Sequence, residues 1–536
     1  DVERSRGLGD VYKRQEKKNR ISTAYWLLCA VAAVLFGVLS LRTNIWADEA
    51  YTFAMVRHSF ADIWRITAAD VHPPLYYFLV KIFTSPFGYS QYSVRLFSGA
   101  CYFLILAIGG WQLTRLFDRK TGLLFMLLYM LFPFALDYST EARMYSSAAL
   151  AVFLCALFAY RAYFSNKAGD WIGFTAAGLC AAYQHYFALV AAGAIYGVLL
   201  VCILVKKRSI LKSWLVVSAV TIVLYLPWLK CFAEQLAFKV SNEYWIAPIT
   251  LETLRSDMIT ILHASGNKPF PIFFALLYFF LLLGIAWRRE AAPLLAMTVC
   301  LLTEALGVGV SLLIRPVYII RYLVPCAPLM IFFLAWGLAR ITREKLYGAA
   351  MGFLLAGFGG SLMYTAVNAL PPQNMLTGTV LEENSDAQAY VILVDNDSHI
   401  SQIAAYYNST TPIYLEETLG AASPFENIFP LSELHTENLR TILVFTDEGT
   451  RPTGSYLTGF APTLVGTYQG GYNTFDIWKL EKESAPAAEK GENPETAATP
   501  ARTATPWPPP PGTSTCTGSS AAPASARHPE RPARTY

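Results

Sequence analysis

The chain has 536 residues, 54% of them hydrophobic, 14% aromatic and only 15% charged. Soluble domains carry about 25% charged residues, so a purely soluble globular protein is excluded. The formal net charge of +4 is no nucleic-acid signature, because the basic residues sit in short loops between apolar runs.

Residues 1–20 are a polar lead, and the first fifteen resemble read-through of a sequencing adapter rather than native chain. Apolar runs then recur, each long enough to cross a hydrocarbon core of about 30 Å. They predict spans at 21–41, 95–116, 121–136, 145–164, 171–184, 187–205, 213–229, 270–287, 292–314, 322–339 and 346–367. The 171–205 stretch is split at Gln184-His185, because a single helix there would move Lys206–Lys212 to the other side. With the split, Arg115/Arg119/Lys120, Arg161/Lys167, Lys206/Lys207/Arg208/Lys212, Arg288/Arg289 and Arg340/Arg343/Lys345 share one face with the basic lead. Short Lys/Arg-rich loops stay inside, so the N-terminus is expected in the cytoplasm.

The outer loops are then 42–94, 137–144, around 185, 230–269 and 315–321. Within the first, Leu75 to Phe87 is rich in aromatics and suits a helix lying in the interface. Residues 371–482 change pattern. Tyr390–Val394 and Thr441–Phe445 read as buried strands, Ile400–Tyr407 as a helix, and Thr474–Leu480 alternates like an edge strand. A small extracytoplasmic α/β domain is expected here. From 483 onward the chain is rich in Pro, Ala, Ser and Thr, and is expected to be disordered. Of the nine cysteines, Cys29, Cys101, Cys155, Cys180, Cys202 and Cys300 lie in apolar runs, and no metal-type Cys/His spacing occurs.

Chemistry-bearing residues collect in the outer loops. Asp48-Glu49 follows the first span. The pair either caps a helix starting near Ala50 or supplies a general base, its pKa raised beside lipid. In Asp70-Val71-His72-Pro73-Pro74 the prolines fix the backbone, so Asp70 and His72 can orient a phosphate or hold a divalent cation, or simply form a rigid turn. Glu141-Ala142-Arg143-Met144-Tyr145 opens a span. Arg143 there opposes the helix dipole and calls for an acidic partner or an anionic ligand such as a phosphate. Arg321-Tyr322, with Arg315 nearby, repeats the arrangement, though arginines also snorkel to headgroups. His185 reads as the end of a span. Glu304, inside the ninth span, is expected to face the bundle interior, neutral or paired.

The order of Asp-Glu, His-Pro-Pro-Leu-Tyr-Tyr, Glu-Ala-Arg-Met-Tyr and Arg-Tyr-Leu-Val-Pro resembles the bacterial relatives of the dolichyl-phosphate-mannose protein mannosyltransferases. These are GT-C glycosyltransferases of family 39 type, with the aminoarabinose transferases that modify lipid A as one branch. The resemblance covers about residues 21–370. It implies a GT-C-like bundle of about 11 spans acting as an inverting transferase, with a polyprenyl-phosphate-linked sugar as donor and a lipid, protein or envelope polymer as acceptor. It implies Asp48 as the catalytic acid-base residue with Glu49 as its motif neighbour. His72, Glu141, Arg143, Arg321 and Tyr322 are then expected at the donor phosphate. The aminoarabinose branch has a Lys before its Pro-Pro pair where this chain has His72. The motifs name no cofactor, and a divalent cation at Asp70 and His72 stays open. The alternative is a lipid-linked-sugar flippase or other transporter, for which Glu304 is the main feature. The expected location is the bacterial cell membrane.

Overall fold

In hydrocarbon every peptide group must find its partner within the chain, which makes apolar runs of this length helical. The computed structural model describes residues 23–41, 45–241, 246–261, 269–368, 376–394, 397–416, 423–470 and 473–482. The described residues, all within 23–482, form one compact unit; the lead and the stretch after 482 lie outside them. A helix lies under every expected span.

In chain order the helices of the bundle and its loops are α1 (Thr23–Leu39), α2 (Ala47–Met55), α3 (Phe60–Ala69), α4 (Leu75–Thr84), α5 (Gln91–Leu116), α6 (Arg119–Leu131), α7 (Pro133–Asp137), α8 (Tyr145–Ser165) and α9 (Ala168–Ala182). They continue with α10 (Tyr186–Lys206), α11 (Leu211–Ser241), α12 (Leu251–Ile261), α13 (Pro269–Trp287), α14 (Ala291–Leu313), a 3₁₀ stretch (Ile320–Cys326), α15 (Ala327–Ala339) and α16 (Glu344–Asn368). Among the described residues, seven helical segments are long and apolar enough to cross a membrane. The protein is a multi-pass membrane protein.

Local chemistry sets the breaks. The expected 121–136 span is two helices, because Pro133 cannot continue α6 and instead opens α7. The split at 184–185 is real: the His185 ring accepts from the Phe187 N–H and caps α10. Helix α4 forms as expected, but it buries Tyr76, Tyr77 and Val80 completely instead of merely lying on a surface.

With lipid as apolar as leucine, close packing holds such bundles together, and small residues permit it. A Cβ at Gly122 would meet Thr114 Oγ1 at 2.2 Å and the Gly110 carbonyl at 2.7 Å, so α5 and α6 touch through backbone. Beside them Tyr102 stacks on Tyr129 at 4.4 Å, and Phe125 lies between Tyr129 and Phe153 at 5.6 and 5.4 Å.

The basic loops gather at one end. Arg340 binds Asp118 at 2.8 Å, Lys207 reaches the Phe164 carbonyl at 3.3 Å, and Arg161 binds Asp170 at 2.8 Å. A cavity of about 760 Å³ opens among α5, α8, α10, α14 and α15, lined by Phe117, Phe153, Ile195, Leu329, Phe332 and Trp336.

The C-terminal part adds α17 (Gly378–Glu383), α18 (Asp397–Tyr407) and strands β1 (Ala389–Leu393), β2 (Ile413–Leu415), β3 (Ile428–Pro430), β4 (Thr441–Asp447), β5 (Phe460–Gly470) and β6 (Asn473–Lys482). The sheet order is β3-β2-β1-β4-β6-β5. The first four strands are parallel, with Val391 opposite Val444 in the central pair, and β4, β6 and β5 pair antiparallel. Thr474–Leu480, expected at the edge, is therefore interior. The edge belongs to β5, where Pro462, lacking a donor, is tolerated.

Gly122→Val should cost about 1–3 kcal/mol by overpacking, read as a lower unfolding temperature of the detergent-solubilised protein. Gly169→Ala, whose Cβ would meet nothing within 4 Å, should leave that temperature unchanged or slightly raised, since alanine is the better helix former.

Candidate functional site

Helix α2 begins at Ala47 with Trp46 as N-cap, and no side chain caps it. Asp48 is therefore not the expected cap. It lies in the first turn, beside Glu49, and adjacent helical residues diverge by about 100°. Glu49 turns inward, where the Arg95 guanidinium grips both its oxygens, Nε to Oε1 at 2.8 Å and Nη2 to Oε2. The Ala142 N–H donates to Oε1 at 3.0 Å. So engaged and only 3% exposed, Glu49 holds α2 in place. In the sequence Arg95 merely opens the 95–116 span, and a charge inside an apolar helix is the signal that singles it out.

Asp48 turns the other way, between two arginines. Its Oδ2 lies 3.6 Å from Arg143 Nε and 3.7 Å from Arg321 Nη1, ion-pair distances beyond hydrogen bonding. Arg143 Nη1 donates to the Asp48 carbonyl at 3.3 Å. This is the acidic partner that Arg143 called for, and burial fixes it: the residue is 4% exposed. The expected rise in the Asp48 pKa is reversed. Burial pushes it up, but the Arg143 and Arg321 guanidiniums outweigh burial and hold it below the ordinary value.

His72 completes a chain of contacts. Its Nδ1 lies 3.1 Å from Asp70 Oδ2, which also accepts from the Tyr51 hydroxyl at 3.3 Å. Its Nε2 faces Arg143 Nη2 at 3.4 Å. With Nδ1–H donated to the carboxylate, Nε2 accepts, so a cation on either nitrogen would displace a contact already made. Among the described residues no three His, Cys, Asp or Glu side chains are grouped to hold a metal ion. The segment is anchored on both sides. Gln235 of α11 donates to the Thr67 and Ala68 carbonyls at 2.8 and 3.1 Å, and Leu75 N–H donates to the Tyr183 carbonyl at 3.1 Å.

His185 belongs here too. Besides capping α10 it lies 6.3 Å from the His72 ring and 4.9 Å, edge to face, from Tyr322. Burial first, then the nearby cations, keeps it neutral well below the ordinary imidazole range. Arg321 lies over the Trp46 ring at 5.7 Å. Glu141 is close enough to feel Glu49 and Asp48, and burial with these like charges pushes its carboxyl up to about 8. Asp48, His72, Arg143, Arg321 and Tyr322 thus converge at the end of the bundle opposite the basic loops. Glu304 is half-buried on α14, where its charge is felt at Asp257 and Tyr318.

A long-helix bundle with an acid set between arginines at one end, joined to a small α/β domain, defines a polytopic membrane protein with a charged site at one end of its bundle. A family model described as dolichyl-phosphate-mannose-protein mannosyltransferase matches residues 71–229. The crystal structure of ArnT from Cupriavidus metallidurans in the apo state superposes with a TM-score of 0.58 at 15% identity, over 84% of this chain and 97% of that one. The same protein bound to undecaprenyl phosphate gives a TM-score of 0.57 at 15% identity, over 85% and 98%. No curated protein sequence matches. The family match and the fold bear out the resemblance seen in the motifs: the chain has the GT-C fold of the protein mannosyltransferase and ArnT type.

Arg95→Leu leaves Glu49 as an unpaired buried charge and should destabilise the protein by about 3–5 kcal/mol. Arg95→Leu with Glu49→Leu should recover part of that loss in thermal unfolding. For Glu141 the folded protein keeps a proton that the unfolded chain releases near 4.5, so stability falls as pH rises from there to about 8. Glu141→Gln should remove this slope when unfolding temperature is followed against pH; equal slopes in both proteins would refute the assignment.

Proposed function

We propose that the chain is an integral-membrane inverting glycosyltransferase that moves a sugar from a polyprenyl-phosphate donor to a hydroxyl acceptor on the extracytoplasmic face. The observation that carries this reading is Asp48 set between Arg143 and Arg321. A sugar-phosphate departure develops negative charge on the phosphate and positive charge at the anomeric carbon. Preorganised guanidiniums stabilise the first, while a carboxylate on the opposite side takes the acceptor's proton. Undecaprenyl phosphate bound to ArnT, on the same fold, supports the donor class.

In this reading Arg143 and Arg321 hold the donor phosphate, and His72, steadied by Asp70, orients Arg143. His185 and Tyr322 wall the site, and Glu141, uncharged below about pH 8, adds no repulsion to an anionic ligand. Glu49 acts through its hold on α2. The transporter alternative is not favoured: its main feature, Glu304, is not among the charges that act on Asp48, and the fold is that of a transferase bound to undecaprenyl phosphate.

Asp48→Asn keeps size and removes the base. In membranes supplied with labelled polyprenyl-phosphate sugars, transfer should fall by about 10²–10⁴-fold at equal protein level. Undiminished transfer would rule out Asp48 as the base.

A further inference from the structure

The C-terminal α/β domain contributes nothing to the contacts above, yet it is locked onto the segment that carries Asp48. The Tyr406 ring of α18 lies 5.0 Å from Phe53 of α2, and His58 Nε2 meets the Pro424 carbonyl at 2.7 Å. Tyr406, Tyr407 and Phe425 pack into the apolar cluster around Ile45 and Phe53. This is a shared core rather than a tether, so residues of α18 keep a fixed position relative to α2.

Helical geometry then selects a residue. Positions 399, 402 and 406 recur at i, i+3 and i+7 and share one face of α18. Ile400, Ile403 and Ala404 face the domain's own core instead. Because Tyr406 meets Phe53, that shared face is turned toward α2, and His399 occupies it two turns nearer the start of α18. His399 is exposed, and its charge is felt at the Asp48 carboxylate.

The sheet supports the same placement independently. The chain leaves β1 for β2 on one side and returns from β3 to β4 on the other. Open parallel sheets hold ligands outside the carboxyl ends of their strands at such a reversal. Those ends are Leu393 and Asp447, and α18 starts at this edge. The edge where sheets of this topology take ligands is thus the edge at which α18, and with it His399, begins.

We propose that the acceptor enters beside α2 at the exposed His399 end of α18, clear of the Tyr406–Phe53 contact, and that His399 orients its hydroxyl onto Asp48. This rests on the glycosyl-transfer reading. In the step, the acceptor O–H proton passes to Asp48 while the acceptor oxygen bonds the anomeric carbon. The bond from that carbon to the phosphate oxygen breaks, and its electron pair leaves with the lipid phosphate. His399 makes a hydrogen bond to the acceptor and exchanges no proton in the balance.

The test uses full-length protein with labelled polyprenyl-phosphate mannose as donor probe and membranes of the producing cells, deleted for this protein, as acceptor source. His399→Ala should lower kcat by about 10–10²-fold, leave the donor KM and the binding of undecaprenyl phosphate unchanged, and regain rate on addition of free imidazole. Wild-type kcat in His399→Ala would overturn the proposal. So would a loss that imidazole does not relieve, or a loss matched by weaker undecaprenyl phosphate binding, since either marks a structural role. If the wild-type protein neither binds undecaprenyl phosphate nor transfers from any labelled polyprenyl-phosphate sugar, the glycosyl-transfer reading itself falls, and this proposal with it.

Discussion

The buried ion pair between Arg95 and Glu49 is the constraint on which the rest of the site depends. Arg95 is 2% exposed and Glu49 3%, so both charges have left water, and their attraction must first offset that desolvation. Such a pair adds little net stability, but breaking it is expensive. Its value here is orientation. Through Glu49 it joins α2 to α5 and, through the Ala142 N–H, to the turn before α8. Once Glu49 is fixed, the preceding side chain on the helix has no choice of direction, and Asp48 must look toward Arg143 and Arg321.

Three carboxyl groups thus share a small volume in unlike states. Glu49 is fully paired, Asp48 is held below its ordinary range by two guanidiniums, and Glu141 is pushed upward by burial and by its acidic neighbours. Groups whose surroundings drive their proton affinities apart are suited to different tasks. Nothing in the residue types foretells this; the environment sorts them.

The bundle was legible because bilayer thickness and backbone hydrogen bonding leave an apolar run one solution. Even the break at 184–185 followed from where Lys206–Lys212 had to lie. The motif residues Asp48, His72, Arg143 and Arg321 were legible as a set, through the oddity of Arg143 at a helix start and through the resemblance. What stayed hidden was tertiary. Asp48 and Glu49 look equivalent in a string, and only the reach of Arg95 separates them. His185 resembled a simple span end because a capping residue and a site wall leave the same trace. Strand β5 went unseen since Pro462 and Gly466 weaken its strand pattern, and with it missing β6 looked like an edge.

The two arginines are common property of Asp48 and of whatever anion enters between them. Until a phosphate arrives, their charge is spent on Asp48 and blunts it as a base. A phosphate would claim that charge for itself, and the carboxylate's appetite for protons would recover at the moment a leaving group is in place. Under the glycosyl-transfer reading the site is therefore an interlock built from electrostatics alone. Its safety catch is released by the donor, and no moving part is needed to enforce the order of events.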